Sequence, residues 1–189
     1  MKQVKISKDF KEELAQAMID KGVVSKGEVD LKYGGSSEVY FYVKKILGEP
    51  ELLNKLADYS YSLFPEETNC VCGEGLGGLP LASAISSKYG LKLVSVRLDE
   101  KDHGLKNKIE FYRPSKTDKV AIVDDVLSTG TSLKNVVSAL EECANISCCC
   151  VVVVDREDVK KIKEYSEDKI YGYPLEHLFK SGDRSGFEM

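Results

Sequence analysis

Lys119-Val120-Ala121-Ile122-Val123-Asp124-Asp125-Val126-Leu127-Ser128-Thr129-Gly130-Thr131-Ser132 is the stretch on which the reading of the chain turns. Val120 to Val123 is an uninterrupted apolar run, short enough for a strand buried on both faces. Two carboxylates stand where such a strand would end. A loop of small hydroxyl residues around Gly130 then opens into Leu133 to Glu142, whose apolar positions have helical spacing. In open parallel sheets, ligands gather at the carboxyl ends of strands. A turn into a helix N-terminus offers unpaired backbone N–H groups and positive potential, the setting for a phosphate. Ser128, Thr129, Thr131 and Ser132 add hydroxyl donors, and Gly130 lets the backbone come close. Asp124 and Asp125 sit one step before that phosphate site. Paired carboxylates there accept hydrogen bonds from sugar hydroxyls or hold a hydrated magnesium ion. A plain strand-to-helix connection accounts for one Asp and one Ser, but not for the whole run.

A second unit of the same kind lies upstream. Asn69 to Cys72 reads as a short strand, Gly73-Glu74-Gly75-Leu76-Gly77-Gly78-Leu79-Pro80 as a glycine loop, and Leu81 to Ser86 as the helix that follows. Closely spaced glycines free backbone donors for an anion. The spacing is neither GxGxxG nor GxxxxGK[ST]. Strands alternating with helices predict an α/β fold with a largely parallel sheet.

The rest of the chain supplies the other elements. Residues 7 to 21 read as a helix capped by Ser7, with Phe10, Leu14 and Met18 one turn apart. Val23-Val24 with Glu28 to Lys32, then Val39 to Val43, read as strand, turn and strand, a piece able to cover a ligand site. Pro50 opens a helix to about Leu63. Leu91 to Val96 is a strand, the charged stretch to Lys108 a hairpin tip, and Ile109 to Tyr112 the returning arm. Ile146 to Val154 is a buried strand and Val159 to Tyr165 a short helix. Lys169 to Tyr173 is an edge strand, Pro174 to Leu178 a helical turn, and Ser181 to Met189 a tail. His177 is assigned no role.

The strand, acidic pair and Thr/Ser/Gly loop together resemble the phosphoribosyl-pyrophosphate (PRPP) motif of type I phosphoribosyltransferases. The chain is most similar to the orotate phosphoribosyltransferases of that family. The resemblance implies a doubly wound, mostly parallel sheet flanked by helices, with a small N-terminal hood. It implies a single domain over residues 1–189, in which 1–45 form a helix plus the hood and 46–180 the α/β core. It implies a magnesium-dependent pentosyltransferase that moves the 5-phosphoribosyl group from PRPP to a nucleobase and releases pyrophosphate. Asp124 and Asp125 would hold the ribose hydroxyls and stabilise positive charge at the sugar. Magnesium would come bound to PRPP and water, with Asp124 and Asp125 as possible ligands. Val126, Leu127, Ser128, Thr129, Gly130, Thr131 and Ser132 would line the 5-phosphate. Gly75, Leu76, Gly77 and Gly78 would bind pyrophosphate, by backbone, because this loop lacks the lysine that some members carry there.

The charged stretch resembles the mobile catalytic loop of the orotate enzymes. Arg97, Lys101, His103 and Gly104 match its pattern, and Leu98 replaces a lysine. Arg97 would bind PRPP, while Lys101 and His103 would close over the leaving pyrophosphate, a cation and a proton donor arriving together. In the family this loop enters the neighbouring subunit's site. A homodimer with the 97–108 loop shared across the interface is therefore expected. Without the resemblance, the same stretch reads as a solvated hairpin tip. Lys32, Tyr40, Phe41, Ser128 and Arg156 take the places that contact the base. Taken alone, Tyr40 and Phe41 read as core aromatics more readily than as a base platform, and Asp155-Arg156 reads equally as a strand-end ion pair.

Orotate is the favoured base, from the Lys101-Asp102-His103-Gly104 loop, Lys32 and Arg156. The alternative is a purine base (adenine, or hypoxanthine and guanine), because Asp-Asp-Val-Leu-Ser-Thr-Gly is close to adenine-type enzymes and Ser128 stands where orotate enzymes more often have threonine. A reading of another class is a PRPP-binding regulator or an inactive paralogue, for which Leu98 is the best support.

Composition narrows the classes. The chain has 189 residues, 31% charged and 42% hydrophobic, with net charge −4. That charge disfavours nucleic acid and anionic membranes as partners. The start Met1-Lys2-Gln3-Val4-Lys5 lacks the apolar core of an export signal, and a cytoplasmic protein is expected. The six cysteines lack the paired spacing of a zinc site. They read as reduced thiols packing as small apolar residues.

Overall fold

The apolar run at 120–123 is the middle of a sheet. In the computed structural model, which describes residues 7–30, 36–97, 108–143, 147–156, 162, 164–166 and 168–181, strand β6 (Lys119–Leu127) lies between β3 (Cys70–Glu74) and β7 (Ser147–Asp155), parallel to both. Val120 faces Cys70 on one side and Cys148 on the other. A strand paired on both edges and covered on both faces has no solvent side, so its sequence need not alternate. β4 (Lys92–Val96) adds in parallel beside β3, and β10 (Tyr173–Lys180) in parallel beside β7. The edges are antiparallel: β5 (Ile109–Phe111) returns along β4, while β9 (Lys169–Ile170) and β8 (Tyr165–Ser166) fold back from β10. Among the described residues the sheet has eight strands in the order β5-β4-β3-β6-β7-β10-β9-β8.

Two apolar layers follow from the pleat, because successive side chains point to opposite faces. Val71, Ala121, Val123, Val151 and Val153 face helices α1 (Lys8–Asp20), α3 (Pro50–Ser62) and α4 (Gly75–Tyr89), burying Leu14, Met18, Leu56, Leu81 and Ile85. Cys70, Cys72, Val120, Ile122, Cys150 and Val152 face α5 (Thr131–Cys143) through Leu133, Val136, Val137 and Leu140. Among the cysteines whose side chains are described, Cys70, Cys72, Cys149 and Cys150 are buried and form no disulfide. Burial pushes the thiols of Cys70 and Cys149 up to about 12, so they stay protonated. No helix among the described residues is long and apolar enough to cross a membrane.

β1 (Val24–Asp30) and β2 (Ser36–Phe41) pair antiparallel as a separate two-stranded sheet. It is tied to the core where Tyr42 N–H donates to Val23 O at 2.7 Å, with Val23, Phe41 and Val43 buried. A short helix α2 (Lys44–Leu47) follows at once.

Several expectations need correction. β6 does not stop at Val123: Asp124 pairs with Val152 and Leu127 with Asp155, so the acids lie inside the strand. The glycine loop is mostly helix, since α4 begins at Gly75 rather than Leu81 and contains Pro80. Close backbone packing overrides the weak helix propensity of glycine there. Pro174 to Leu178 is not a helical turn but part of β10. Leu175, Leu178 and Phe179 have helical spacing, yet the open edge of β7 takes them as a strand, and all are buried. The expected helix at 159–165 falls largely outside the described residues, and its last residue, Tyr165, begins β8. The expected tail beyond Ser181 also lies outside them.

At the amino end of β6, Asp118 gathers the turn that leads into the strand. Its carboxylate accepts hydrogen bonds from Ser115 N–H and Ser115 Oγ at 2.8 Å, Tyr112 Oη at 3.0 Å, Lys92 Nζ at 3.0 Å and Asn69 Nδ2 at 3.1 Å. The Ser115 N–H, then Lys92 and the hydroxyls, hold this carboxyl well below the usual carboxylate range, against the opposing effect of burial. Asp118→Ala is expected to cost roughly 1–3 kcal/mol of stability, because it removes a carboxylate that accepts five hydrogen bonds and ties the turn to β3 and β4. The folded pKa lies below the unfolded one. The wild-type advantage is therefore complete above the ordinary carboxylate pKa and is lost as pH falls below about 4. Urea unfolding of both proteins between pH 3 and pH 7 measures this, and a gap independent of pH would refute the assignment.

Candidate active site

The carboxyl ends of β3, β6 and β7 meet the N-termini of α4 and α5 at one edge of the sheet, where open α/β sheets bind ligands. Asp124 and Asp125 are there, 9% and 8% exposed. Asp125 N–H donates to Asp124 Oδ1 at 2.9 Å, and Val126 N–H donates to Asp125 Oδ1 at 2.9 Å. Lys44 Nζ lies 3.2 Å from Asp125 Oδ2. Burial, and then the Asp125 charge, hold the Asp124 carboxyl well above the usual range, although the Asp125 N–H pulls the other way. For Lys44, burial would lower the pKa, but Asp125 outweighs it and the net shift is upward. A buried acid pair with so little compensating charge is poised to take a cation or hydroxyl donors.

The first turn of α4 lies directly against these acids. A Cβ at Gly77 would overlap the Asp125 carboxylate, and one at Gly78 would come within 2.5 Å of Val123 O. Gly75 adopts φ +59° in open space, and Leu76 is 80% exposed beside it. No side chain caps this helix start, which leaves its N–H groups for an anion.

The loop after β6 is similarly shaped. Ser128 and Thr129 are half-buried. Thr129 Oγ1 and Thr131 Oγ1 are 3.0 Å apart, and Gly130 turns with φ +72°. The Gly130 carbonyl accepts from Lys134 N–H at 2.9 Å and from Tyr171 Oη at 3.1 Å. A Cβ at Gly130 would sit 2.5 Å from Tyr171 Oη and 2.7 Å from Ile162 Cδ1. Thr131 and Ser132 open α5 with their N–H groups toward this loop end.

The structure brings together Asp124, Asp125, Val126, Leu127, the 128–132 loop and Gly75 to Gly78. Arg156 is buried just past β7, and its N–H donates to Leu127 O at 3.2 Å, beside the loop. Arg97 follows β4; its N–H donates to Lys108 O at 2.9 Å and its Nε lies 3.2 Å from Glu110 Oε1. Tyr40 is half-buried and stacked on Tyr42, ring centroids 6.3 Å apart. Phe41, expected beside the base, is 5% exposed and belongs to the core, because the pleat turns it opposite to Tyr40. Lys32, Lys101 and His103 lie outside the described residues. Lys44 and Tyr171 had no place in the sequence reading. Lys44-Lys45 after an apolar strand is the only local hint of the former, and it does not say which acid the side chain meets.

The donor set accepts a hard cation. Carboxylate oxygens are what magnesium takes, and it fills its remaining positions with water and substrate oxygens. Among the described residues no group of three or more His, Cys, Asp or Glu side chains forms a cage for a metal. Asp124 and Asp125 supply two such carboxylates, so a hard cation here would take most of its ligands from water or a bound ligand.

A mostly parallel sheet carrying buried paired acids between two anion-receiving turns defines a site for a phosphorylated ligand. Residues 43–172 match the phosphoribosyl transferase domain, and the chain belongs to that family. It is similar to the orotate phosphoribosyltransferase of Methanothermobacter thermautotrophicus, 32% identical over 92% of this chain and 94% of that protein. The crystal structure of orotate phosphoribosyltransferase from Aeropyrum pernix superposes with TM-score 0.70 at 25% identity, covering 89% of this chain and 93% of that one. Leishmania donovani UMP synthase aligns with TM-score 0.73 at 27% identity over 91% of this chain, which spans 37% of that longer protein.

Proposed function

We propose that this protein transfers the 5-phosphoribosyl group of PRPP to orotate, giving orotidine 5'-monophosphate and pyrophosphate, as the name shared by its relatives describes. The observation that carries the reading is the buried Asp124–Asp125 pair wedged between the Gly77 turn and the 128–132 loop. In the reaction the bond from the sugar C1 to the pyrophosphate oxygen breaks and pyrophosphate leaves with the electron pair. The ring nitrogen of the base forms the new bond to C1 and loses its proton. The 128–132 loop and the α5 start hold the 5-phosphate, and Asp124 and Asp125 accept the ribose hydroxyls. Their negative charge favours the cationic sugar of the transition state. The backbone of Gly75 to Gly78 receives the pyrophosphate. Magnesium, when bound with PRPP, neutralises charge on the leaving group. Lys32, Tyr40, Ser128 and Arg156 surround the base, while Arg97, Lys101 and His103 close over the pyrophosphate, contributed across a homodimer. The whole of 1–189 acts as one domain, hood at 1–45 and core at 46–180, in cytoplasmic pyrimidine nucleotide synthesis.

Pyrophosphate release from PRPP and magnesium, measured with orotate, uracil, adenine, hypoxanthine, guanine and xanthine in turn, tests this. Release with orotate alone is expected. Release with a purine alone would overturn the base assignment. Bound PRPP without release for any base would identify a regulator or an inactive paralogue.

Tyr171 gives a graded prediction. Tyr171→Phe removes one hydrogen bond to the Gly130 carbonyl, worth about 1 kcal/mol. KM for PRPP is expected to rise about threefold to tenfold with kcat nearly unchanged. Steady-state kinetics at saturating orotate measures the split, and a fall in kcat at constant KM would rule the role out.

A further inference from the structure

Beyond the residues assigned above, one basic side chain reaches the acid pair from outside the α/β core. Lys44 opens α2, directly after the hood strands, and its Nζ lies 3.2 Å from Asp125 Oδ2. The other oxygen of that carboxylate accepts the Val126 N–H, and the Gly77 backbone packs against the same group. Lys44 therefore stands one carboxylate away from the glycine turn. That turn, residues 73–80, contains no Lys or Arg, so a highly charged anion there meets backbone donors and no side-chain cation from the turn itself. Lys44 is 39% exposed, so its flexible stem is free to redirect the ammonium by a few ångströms.

We propose that Lys44 is a pyrophosphate-binding residue, held on Asp125 in the free protein and turning to the pyrophosphate oxygens when PRPP occupies the cleft. The exchange keeps the ammonium paired with an anion throughout. Asp125 gives up an ammonium and gains the sugar hydroxyls, and the ammonium gains a phosphate partner one carboxylate's width away. The hood-to-core junction thus supplies a cation to the anion site from a different element. This inference rests on the reading of the site as a PRPP site.

Calorimetric binding of magnesium pyrophosphate, PRPP and ribose 5-phosphate to wild type, Lys44→Met and Lys44→Arg tests it without turnover. Loss of one charge-assisted hydrogen bond is expected to weaken pyrophosphate and PRPP about tenfold to a hundredfold in Lys44→Met. Ribose 5-phosphate is expected to change less than about threefold, and Lys44→Arg to recover most of the loss. If Lys44→Met does not fold, Lys44→Gln gives the same ratio of affinities. Unchanged pyrophosphate affinity would overturn the proposal. Equal weakening of ribose 5-phosphate would overturn it too, because Lys44 would then act only by holding Asp125. A wild type that binds none of the three ligands would instead overturn the PRPP reading itself.

Discussion

Asp124→Asn is expected to lower kcat/KM for PRPP by roughly 10²- to 10³-fold, the scale of losing one preorganised polar group at the reacting centre, and at the same time to make the folded protein more stable at pH 8. The second effect follows from burial. The Asp124 carboxyl is held well above its ordinary range by desolvation first and by the charge of Asp125 second. Above the unfolded pKa, near 4, the unfolded chain has released a proton that the folded chain keeps. The folded state then binds more protons, so stability falls as pH rises through that window. Asparagine never ionises and is spared this cost. The gain in Tm over wild type is expected to be largest at pH 8 and to vanish near pH 4. Thermal melts of both ligand-free proteins across that range, with kinetics on the same preparations, provide the check. A variant that melts below wild type at pH 8 would refute the electrostatic cost assigned to Asp124, since asparagine keeps an oxygen to accept the Asp125 N–H.

Gly77→Ala is the second large effect. The added methyl would occupy the volume of the Asp125 carboxylate, within 2.5 Å of its Cγ. In the ligand-free protein Val126 N–H holds one oxygen of that carboxylate and Lys44 the other. Either the start of α4 or the acid has to shift. A displacement near 1 Å at a reacting group costs on the order of 10²-fold in rate. Stability should change less, since alanine favours helix over glycine by about 1 kcal/mol and offsets part of the strain. kcat/KM for PRPP and Tm measured together distinguish the two effects. Gly48→Ala, with no atom within 4 Å of its Cβ, serves as the comparison and is expected to match wild type in both. Full activity in Gly77→Ala would show that the acid pair tolerates movement and does not set the reaction geometry.

Much of the scaffold was legible because its signals are local. Ser7 caps α1 by accepting the Phe10 N–H at 3.2 Å, as a serine before a periodic apolar segment should. Pro50 starts α3 at the position its fixed φ favours. The returning arm at Ile109 pairs with Val96 across the hairpin. Where two local signals conflicted, contacts distant in sequence settled the outcome. Leu175, Leu178 and Phe179 are spaced like a helix, but pairing with Cys150 through Val154 holds them as a strand. Phe41 and Tyr40 are neighbours in the sequence, yet the pleat sends one to the core and leaves the other half-buried.

The order of a buried strand, two acids and a hydroxyl loop, followed by a helix, is written in consecutive residues. The sequence by itself therefore determined the α/β class and the place of Asp124, Asp125 and the 128–132 loop. Tertiary structure alone decided what meets them. Lys44 on Asp125, Gly77 under the same carboxylate and Tyr171 on the Gly130 carbonyl join elements far apart in the chain. Local propensity acts over a turn or a strand repeat, within a few residues. Close approach between distant elements depends on which sheet edge is open and which backbone lacks a Cβ, and those conditions exist only once the layers have packed.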